Sequence, residues 1–280
     1  MDKSTRRILV LFVLLSFGSV GQKIKKYALS DSLSEISGLE ILNDSTLVAI
    51  NDGGDKAQVY LLDFKGKILK TVNIENAKNV DWEDLARDKK YLYIGDVGNN
   101  ENKRENLAIY RVSIKDLLAK DEVKAEKIEI SYGEQKHFPP DKDEWFYDAE
   151  AITVYKDTIY LFTKNRSKPS SGTTLVYKFP TKPGEYRVKA SHEIFIGKGG
   201  FWKDGITSVD VMGKDFYLMT YNRIIVQKYE NGVFTPKEEI DFMRLTQKES
   251  IVLLSKNEFF VADEYQVMLG GRKLYKVKMK

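Results

Sequence analysis

The chain has 280 residues, no cysteine, two histidines and a formal net charge of +4. Without cysteine there is no disulfide, no thiolate ligand and no cysteine nucleophile. A balance so near neutral, with Lys interspersed among Asp and Glu, argues against nucleic acid or an anionic membrane surface as a partner.

The N-terminus carries Lys3, Arg6 and Arg7, runs apolar from Ile8 to Phe17 apart from Ser16, then reaches Ser19 and Gly21. This is the pattern of a secretory signal peptide over residues 1–21, cleaved before Gln22 and too short to span a bilayer. A retained anchor is the alternative; a lipoprotein anchor is excluded by the lack of Cys. An exported protein, periplasmic or extracellular, is therefore expected, with 22–280 as a single domain. No later apolar stretch could span a membrane, and a monomer is expected.

Beyond Gln22 the chain consists of short, β-branched and aromatic-rich runs divided by Gly, Asn, Asp and Lys turns. Strands are predicted at Ile24–Ser30, Leu47–Asn51, Gln58–Asp63, Ile68–Ile74, Tyr91–Gly95, Leu107–Ser113 and Lys127–Tyr132. They continue at Thr158–Thr163, Thr174–Phe179, Phe216–Thr220, Ile224–Tyr229, Glu258–Ala262 and Lys273–Lys278. Only Ile114–Lys124 reads as a helix, and Gly133–Tyr147 reads as a long loop.

A short phrase recurs: Ser37-Gly38-Leu39, Glu83-Asp84-Leu85, Glu150-Ala151-Ile152, Thr207-Ser208-Val209 and Glu249-Ser250-Ile251. Each copy opens a strand. A second strand follows and ends on a polar cluster, at Asn51-Asp52, Gly95-Asp96, Thr163-Lys164, Thr220-Tyr221 and Ala262-Asp263. A third strand holds a Tyr: Tyr60, Tyr110, Tyr177, Tyr229 or Tyr275. Self-similar four-stranded units repeated radially make a β-propeller. The fold class is thus all-β, with five blades; six is the alternative, and a β-sandwich the rival architecture. Only three strands fit after Ser250, so the N-terminal strand is expected to complete the last blade and close the ring.

In a propeller, the link into each first strand and the loop after each second strand lie on one face. The first-strand set is Glu35, Asp81, Glu83, Asp84, Asp148, Glu150, Asp204, Thr207 and Glu249. The second-strand set is Asp52, Asp55, Asp96, Asn99, Asn100, Lys164, Asn165, Arg166, Tyr221, Asn222, Arg223, Asp263 and Glu264. Both should gather at one channel mouth, where clustered carboxylates are costly unless paired or bound to a cation. Asn51-Asp52-Gly53-Gly54-Asp55 and Asp96-Val97-Gly98-Asn99-Asn100 offer an oxygen-only supply that suits Ca²⁺. Plain Asx turns between strands are the alternative. Trp82, Trp145 and Trp202 each sit just ahead of a first strand, where an aromatic ring beside carboxylates suits sugar recognition or merely packs between blades. His137 and His192 fall on a loop and an outer strand, which leaves a His-based metal site or a Ser-His-Asp triad poorly supported.

On the motifs Ser37–Leu39, Asn51–Gly54, Asp81–Ala86 and Gly95–Asn100, the chain resembles a family of secreted bacterial β-propellers carrying Trp-Glu-Asp-Leu-Ala and Gly-Asp-Val-Gly-Asn-Asn. The resemblance covers about residues 34–112 and weakens afterwards. It implies export and a propeller. More distantly the chain is similar to phytase-like and gluconolactonase/regucalcin-type propellers, whose channel-mouth carboxylates and amides hold a divalent cation. It departs from those in blade number and in Lys164 and Tyr221.

Two functions follow. In one, the mouth binds a polar small molecule, glycan or protein partner through Asp52, Asp55, Asn99, Asn100, Arg104, Lys164, Arg166, Tyr221 and Asp263. In the other, the protein is a hydrolase of a sugar, lactone or phosphate ester, with Glu83, Glu150 and Asp96 as catalytic carboxylates. Either version admits Ca²⁺ as cofactor on Asp52, Asp96, Glu83 and Glu150.

Overall fold

The computed structural model describes residues 22–242 and 246–279. Residues 1–21, on which the expected export signal falls, lie outside them.

The first strand, β1 (Gln22–Ala28), is followed by blade one: β2 (Ile36–Asn43), β3 (Thr46–Asn51), β4 (Gln58–Asp63) and β5 (Ile68–Ile74). Blade two holds β6 (Trp82–Arg87), β7 (Tyr91–Asp96) and β8 (Leu107–Ser113). Helix α1 (Ile114–Ala119) and the short β9 (Glu122–Val123) then lead to its fourth strand, β10 (Glu126–Tyr132). Blade three is β11 (Ala149–Tyr155), β12 (Thr158–Thr163) and β13 (Thr173–Pro180), then, past β14 (Gly184–Val188), β15 (Ala190–Phe195). A single-turn helix, α2 (Phe201–Asp204), precedes blade four: β16 (Ser208–Met212), β17 (Asp215–Met219), β18 (Arg223–Glu230) and β19 (Val233–Asp241). Blade five is β20 (Lys248–Ser255), β21 (Glu258–Asp263) and β22 (Lys273–Met279), completed by β1.

The ring has five blades and is closed as the sequence implies. β1 pairs antiparallel with β22, from Gln22 opposite Met279 to Ala28 opposite Lys273. The inner strands β2, β6, β11, β16 and β20 touch one another in that order around the channel. Apolar side chains collect in five clusters, each between adjacent blades. The recurrent third-strand Tyr packs into them: Tyr60 between blades five and one, Tyr110 between one and two, Tyr177 between two and three. Trp82 is fully buried between blades one and two, so its ring is a packing element.

Two features differ from expectation. The helix ends at Ala119 rather than Lys124. Ser113 caps its start by accepting from Asp116 N at 3.2 Å. Lys120 is already extended, because the segment after it is captured by blade one: Asn73 N donates to Asp121 O and Glu75 N to Val123 O, both at 2.9 Å. Burial of Val123 and these ladder bonds outweigh the gain from about 1.4 more helical turns. The second feature is two added parallel strands: β9 extends the outer edge of β5, and β14 extends that of β10. No helix among the described residues is long and apolar enough to cross a membrane.

Candidate functional site at the channel mouth

The recurring phrase places its first residue through a backbone irregularity. Pairing skips one residue between Ile36 and Gly38, Trp82 and Asp84, Ala149 and Ala151, and Lys248 and Ser250. The skipped residues are Ser37, Glu83, Glu150 and Glu249. A bulge leaves one residue unpaired and re-aims its side chain; here all four line one cavity at the mouth. In blade four Thr207 holds this position, and its hydroxyl donates to Lys248 O at 2.8 Å.

Directly below, the second residues of the phrase plug the channel. Asp84 is the centre. Its carboxylate accepts from Leu85 N at 2.9 Å, Ile152 N at 3.0 Å and Ser208 Oγ at 3.3 Å, tying blade two to blades three and four. Ser250 Oγ donates to Ser37 O at 2.8 Å and so ties blade five to blade one.

The mouth cavity has a volume of about 210 Å³. Its walls divide by charge. On blades one and two, carboxylate oxygens of Asp52, Asp81 and Glu83 lie within 4.8 Å of one another. Two glycines make this approach feasible: a Cβ at Gly53 would strike the Asp81 carboxylate, and one at Gly98 would strike both Asp81 and Glu83. Glu83 is only 6 % exposed and accepts no hydrogen bond among the described residues. Burial pushes its carboxyl well up, helped by repulsion from Glu150 and Asp52. Burial likewise raises Asp52 to about 6 and Asp81, with Asp52 adding to it, to about 7.

Blade three supplies the opposite situation. Lys164 Nζ donates to Glu150 Oε2 at 2.9 Å and to the Tyr221 hydroxyl at 3.0 Å. Arg166 donates to Glu150 Oε1 at 3.1 Å and also to Asp148. Burial would raise Glu150, but Lys164 and Arg166 outweigh it and hold its carboxyl below the ordinary value. Both cations stand over the Phe201 ring, at 4.9 and 4.7 Å. Trp202 leans on Tyr221, with ring centres 5.5 Å apart, yet stays 63 % exposed on the rim.

The third wall, from blades five and one, is Glu35, Gln247, Glu249 and Glu264. Gln266 Nε2 donates to Glu264 Oε1 at 3.0 Å, and Gln247 donates to the other oxygen. Burial raises Glu249 to about 7; burial and then Glu249 raise Glu264 to about 9.

Of the residues singled out from sequence, Asp52, Glu83, Asn100, Glu150, Lys164, Arg166 and Tyr221 come together in this cavity. Glu35, Glu249, Glu264 and Trp202 join them there, whereas Asp55, Asp96, Asn99, Arg104 and Asp263 do not line it. Asp96 accepts from Arg104 at 2.8 Å and from Asp81 N at 3.0 Å, so it braces the turn under the acid cluster. Arg104 also donates to Gly98 O at 2.6 Å. Asn99 donates to Tyr147 O at 3.1 Å and accepts from Arg104 N at 2.9 Å. Asp55 accepts from Asn51 Nδ2 at 2.6 Å. Asp263 accepts from Lys273 N at 2.8 Å and the Tyr275 hydroxyl at 2.7 Å. Asp96 and Asp263 were expected beside Asp52. They end their second strands, whereas the cavity is lined by the residue after in blades one, three and five (Asp52, Lys164 and Glu264) and by Tyr221, two residues on, in blade four. Likewise the tight carboxylate group contains Asp81 in place of Asp96 and Glu150, since both of those already hold cations. Asp81 stood in the densest acid run of the sequence; Gln247 carried no signal.

The opposite mouth opens into a larger hollow of about 720 Å³ that includes Glu40, Arg87 and Asp210. Its acids are satisfied: Asp210 accepts from Val211 N and Leu253 N, both at 2.7 Å, and Glu40 accepts from Ile41 N at 2.7 Å with Arg87 alongside. The smaller mouth, with an unpartnered buried carboxylate, is therefore the stronger candidate.

No protein-family profile and no curated protein matches this chain. Similar solved structures exist. Glutaminyl cyclase from Myxococcus xanthus is 12 % identical, with a TM-score of 0.57 over 92 % of this chain and 96 % of its own. A putative oxidoreductase (glucose dehydrogenase) from Thermus thermophilus is 9 % identical, with a TM-score of 0.53 over 92 % and 100 %. Virginiamycin B lyase from Staphylococcus aureus is 15 % identical, with a TM-score of 0.42 over 91 % and 70 %. At these identities the likeness is one of fold: the chain is a β-propeller.

Proposed function

We propose that the mouth holds a divalent cation on Asp52, Asp81 and Glu83 and binds a polar small ligand against the surrounding wall. The carrying observation is Glu83: it is 6 % exposed, its carboxylate opens onto the cavity, and it has no hydrogen-bond donor among the described residues and two further carboxylates beside it. An isolated buried charge is costly, and such groups are paired or coordinate metals. Three carboxylates with neighbouring Asn100 give an all-oxygen donor set, which suits Ca²⁺ better than a softer ion. Lys164 and Arg166 make their direct ion pairs with Glu150 and Asp148 and reach Asp52 and Glu83 only as charges farther off. With residues 1–21 read as an export signal, the site would work outside the cytoplasm, as the resemblance to secreted propellers implies.

A hydrolytic version has one observation in its favour. Glu249 is held near neutrality, where a carboxyl can pass a proton either way. The neighbours' names span a cyclase, an oxidoreductase and a lyase, and a shared fold does not choose among reactions.

The test is thermal melting in EDTA and in Ca²⁺. Ca²⁺ at a hundred times its Kd should add about 2.7 kcal/mol of stability. Asp81→Asn and Glu83→Gln should abolish that gain. A wild-type protein indifferent to Ca²⁺ and Mg²⁺ would sink the cation site.

A further inference from the structure

Among the described residues, the bases that line the mouth are paired within its wall. Lys164 and Arg166 form ion pairs with Glu150 and Asp148 inside the wall. What faces the remaining space is acid and aromatic ring: Glu249 and Glu264 on one side, Trp202 and Tyr221 on the other. Carboxyl acceptors thus stand across from ring faces, an arrangement that suits a ligand carrying N–H donors on an apolar body. The buried Glu83 points the same way, since it lines this cavity and has no donor of its own among the described residues.

The wall also shows what its rings take. Lys164 lies 4.9 Å from the centres of both Phe201 and Tyr221, and Arg166 lies 4.7 Å from Phe201. Trp202, the strongest cation-π partner by ring type, carries no cation among the described residues and is exposed on the rim. Aromatic faces beside carboxylates, in a water-poor concavity, are the general chemistry of ammonium recognition.

Resting on the reading of this mouth as a ligand site, we propose that the recognised group of the ligand is an organic cation. It is a primary ammonium or guanidinium on a short apolar body. The body lies on Trp202 and Tyr221, and the N–H donors reach Glu249 and Glu264. The divalent cation stays at the Asp52–Asp81–Glu83 end of the same cavity.

Calorimetric titration of the full chain decides it. The probes are 1,5-diaminopentane, its neutral isostere 1,5-pentanediol and its anionic counterpart glutarate, each with and without Ca²⁺. The diamine should bind at least about tenfold more tightly than either isostere, the difference expected for about 1.4 kcal/mol. Trp202→Ala, which removes a largely exposed ring, and Glu249→Gln should each weaken the diamine by about tenfold. Asp81→Asn should lose Ca²⁺ while keeping the diamine. Diol or glutarate binding as tightly as the diamine overturns the proposal, as does a diamine affinity unchanged in either wall variant. If Ca²⁺ binds and the diamine does not, the organic-cation proposal fails alone. If neither binds, the reading of the mouth fails with it.

Discussion

Glu83 and Glu150 occupy the same bulged position in neighbouring blades and meet opposite surroundings. Glu150 has two cations within hydrogen-bond reach; Glu83 has none among the described residues. Their amide variants should therefore move stability in opposite directions. Glu150→Gln leaves Lys164 buried with Tyr221 as its remaining close partner, and losing one side of a buried pair costs about 3–5 kcal/mol. Glu83→Gln removes a charge that burial and neighbouring acids disfavour, so in EDTA at pH 8 it should melt above wild type. Urea titration of both variants measures the pair of shifts. Equal destabilisation by the two would mean that Glu83 has a partner in solution. Gly98 tests the same spot sterically. Its side-chain-free backbone admits the Asp81 and Glu83 carboxylates, so Gly98→Ala should cost about 1–3 kcal/mol through overpacking and weaken Ca²⁺ binding.

At the scale of elements, β-branched and aromatic runs, turn residues, the recurring phrase and the third-strand Tyr made the blades and their closure legible. Each strand buries both faces or one, and that pattern is written in residue type. The bulges were not legible. A skipped residue leaves no compositional mark, yet one residue of offset exchanges the faces of a strand. This is why Asp96 and Asp263 were expected at the mouth, while the structure puts their carboxylates on Arg104, Lys273 N and Tyr275, and turns the following residue of most blades inward. The extra strand β9 was hidden for a related reason: its pairing with β5 is a long-range choice that local helix propensity cannot reveal. Asp84 shows what holds the inner strands once placed. Asp84→Ala would strand the Ile152 and Leu85 N–H groups and the Ser208 hydroxyl in a buried channel. Each unsatisfied group costs about 1–3 kcal/mol, so a loss of about 3 kcal/mol or more is expected, with Asp84→Asn milder because one acceptor oxygen survives. Chemical denaturation with an unchanged m-value would assign the loss to the native channel.

The whole ring carries its acids as a titratable load. Burial holds Asp52 near 6, Asp81 and Glu249 near 7, Glu40 near 8 and Glu264 near 9. An unfolded carboxyl releases its proton near pH 4. Between those values the folded chain binds protons that the unfolded chain has lost, so unfolding free energy falls as pH rises. Glu150 works the other way: its depressed carboxyl contributes stability above the unfolded value and loses it as pH falls. The raised groups are more numerous, and they set the sign. In EDTA the melting temperature should decline from pH 5 to pH 8.5. Ca²⁺ needs the same carboxyls deprotonated, so its stabilisation should be small at pH 5 and grow with pH. The two curves should therefore meet at the acid end and separate above about pH 7, where Asp81 gives up its proton. Glu83→Gln should flatten the EDTA curve and remove the gap. A flat EDTA curve in wild type would mean that the mouth's acids are solvated like surface carboxylates. A gap of constant width across the range would place the bound Ca²⁺ away from them.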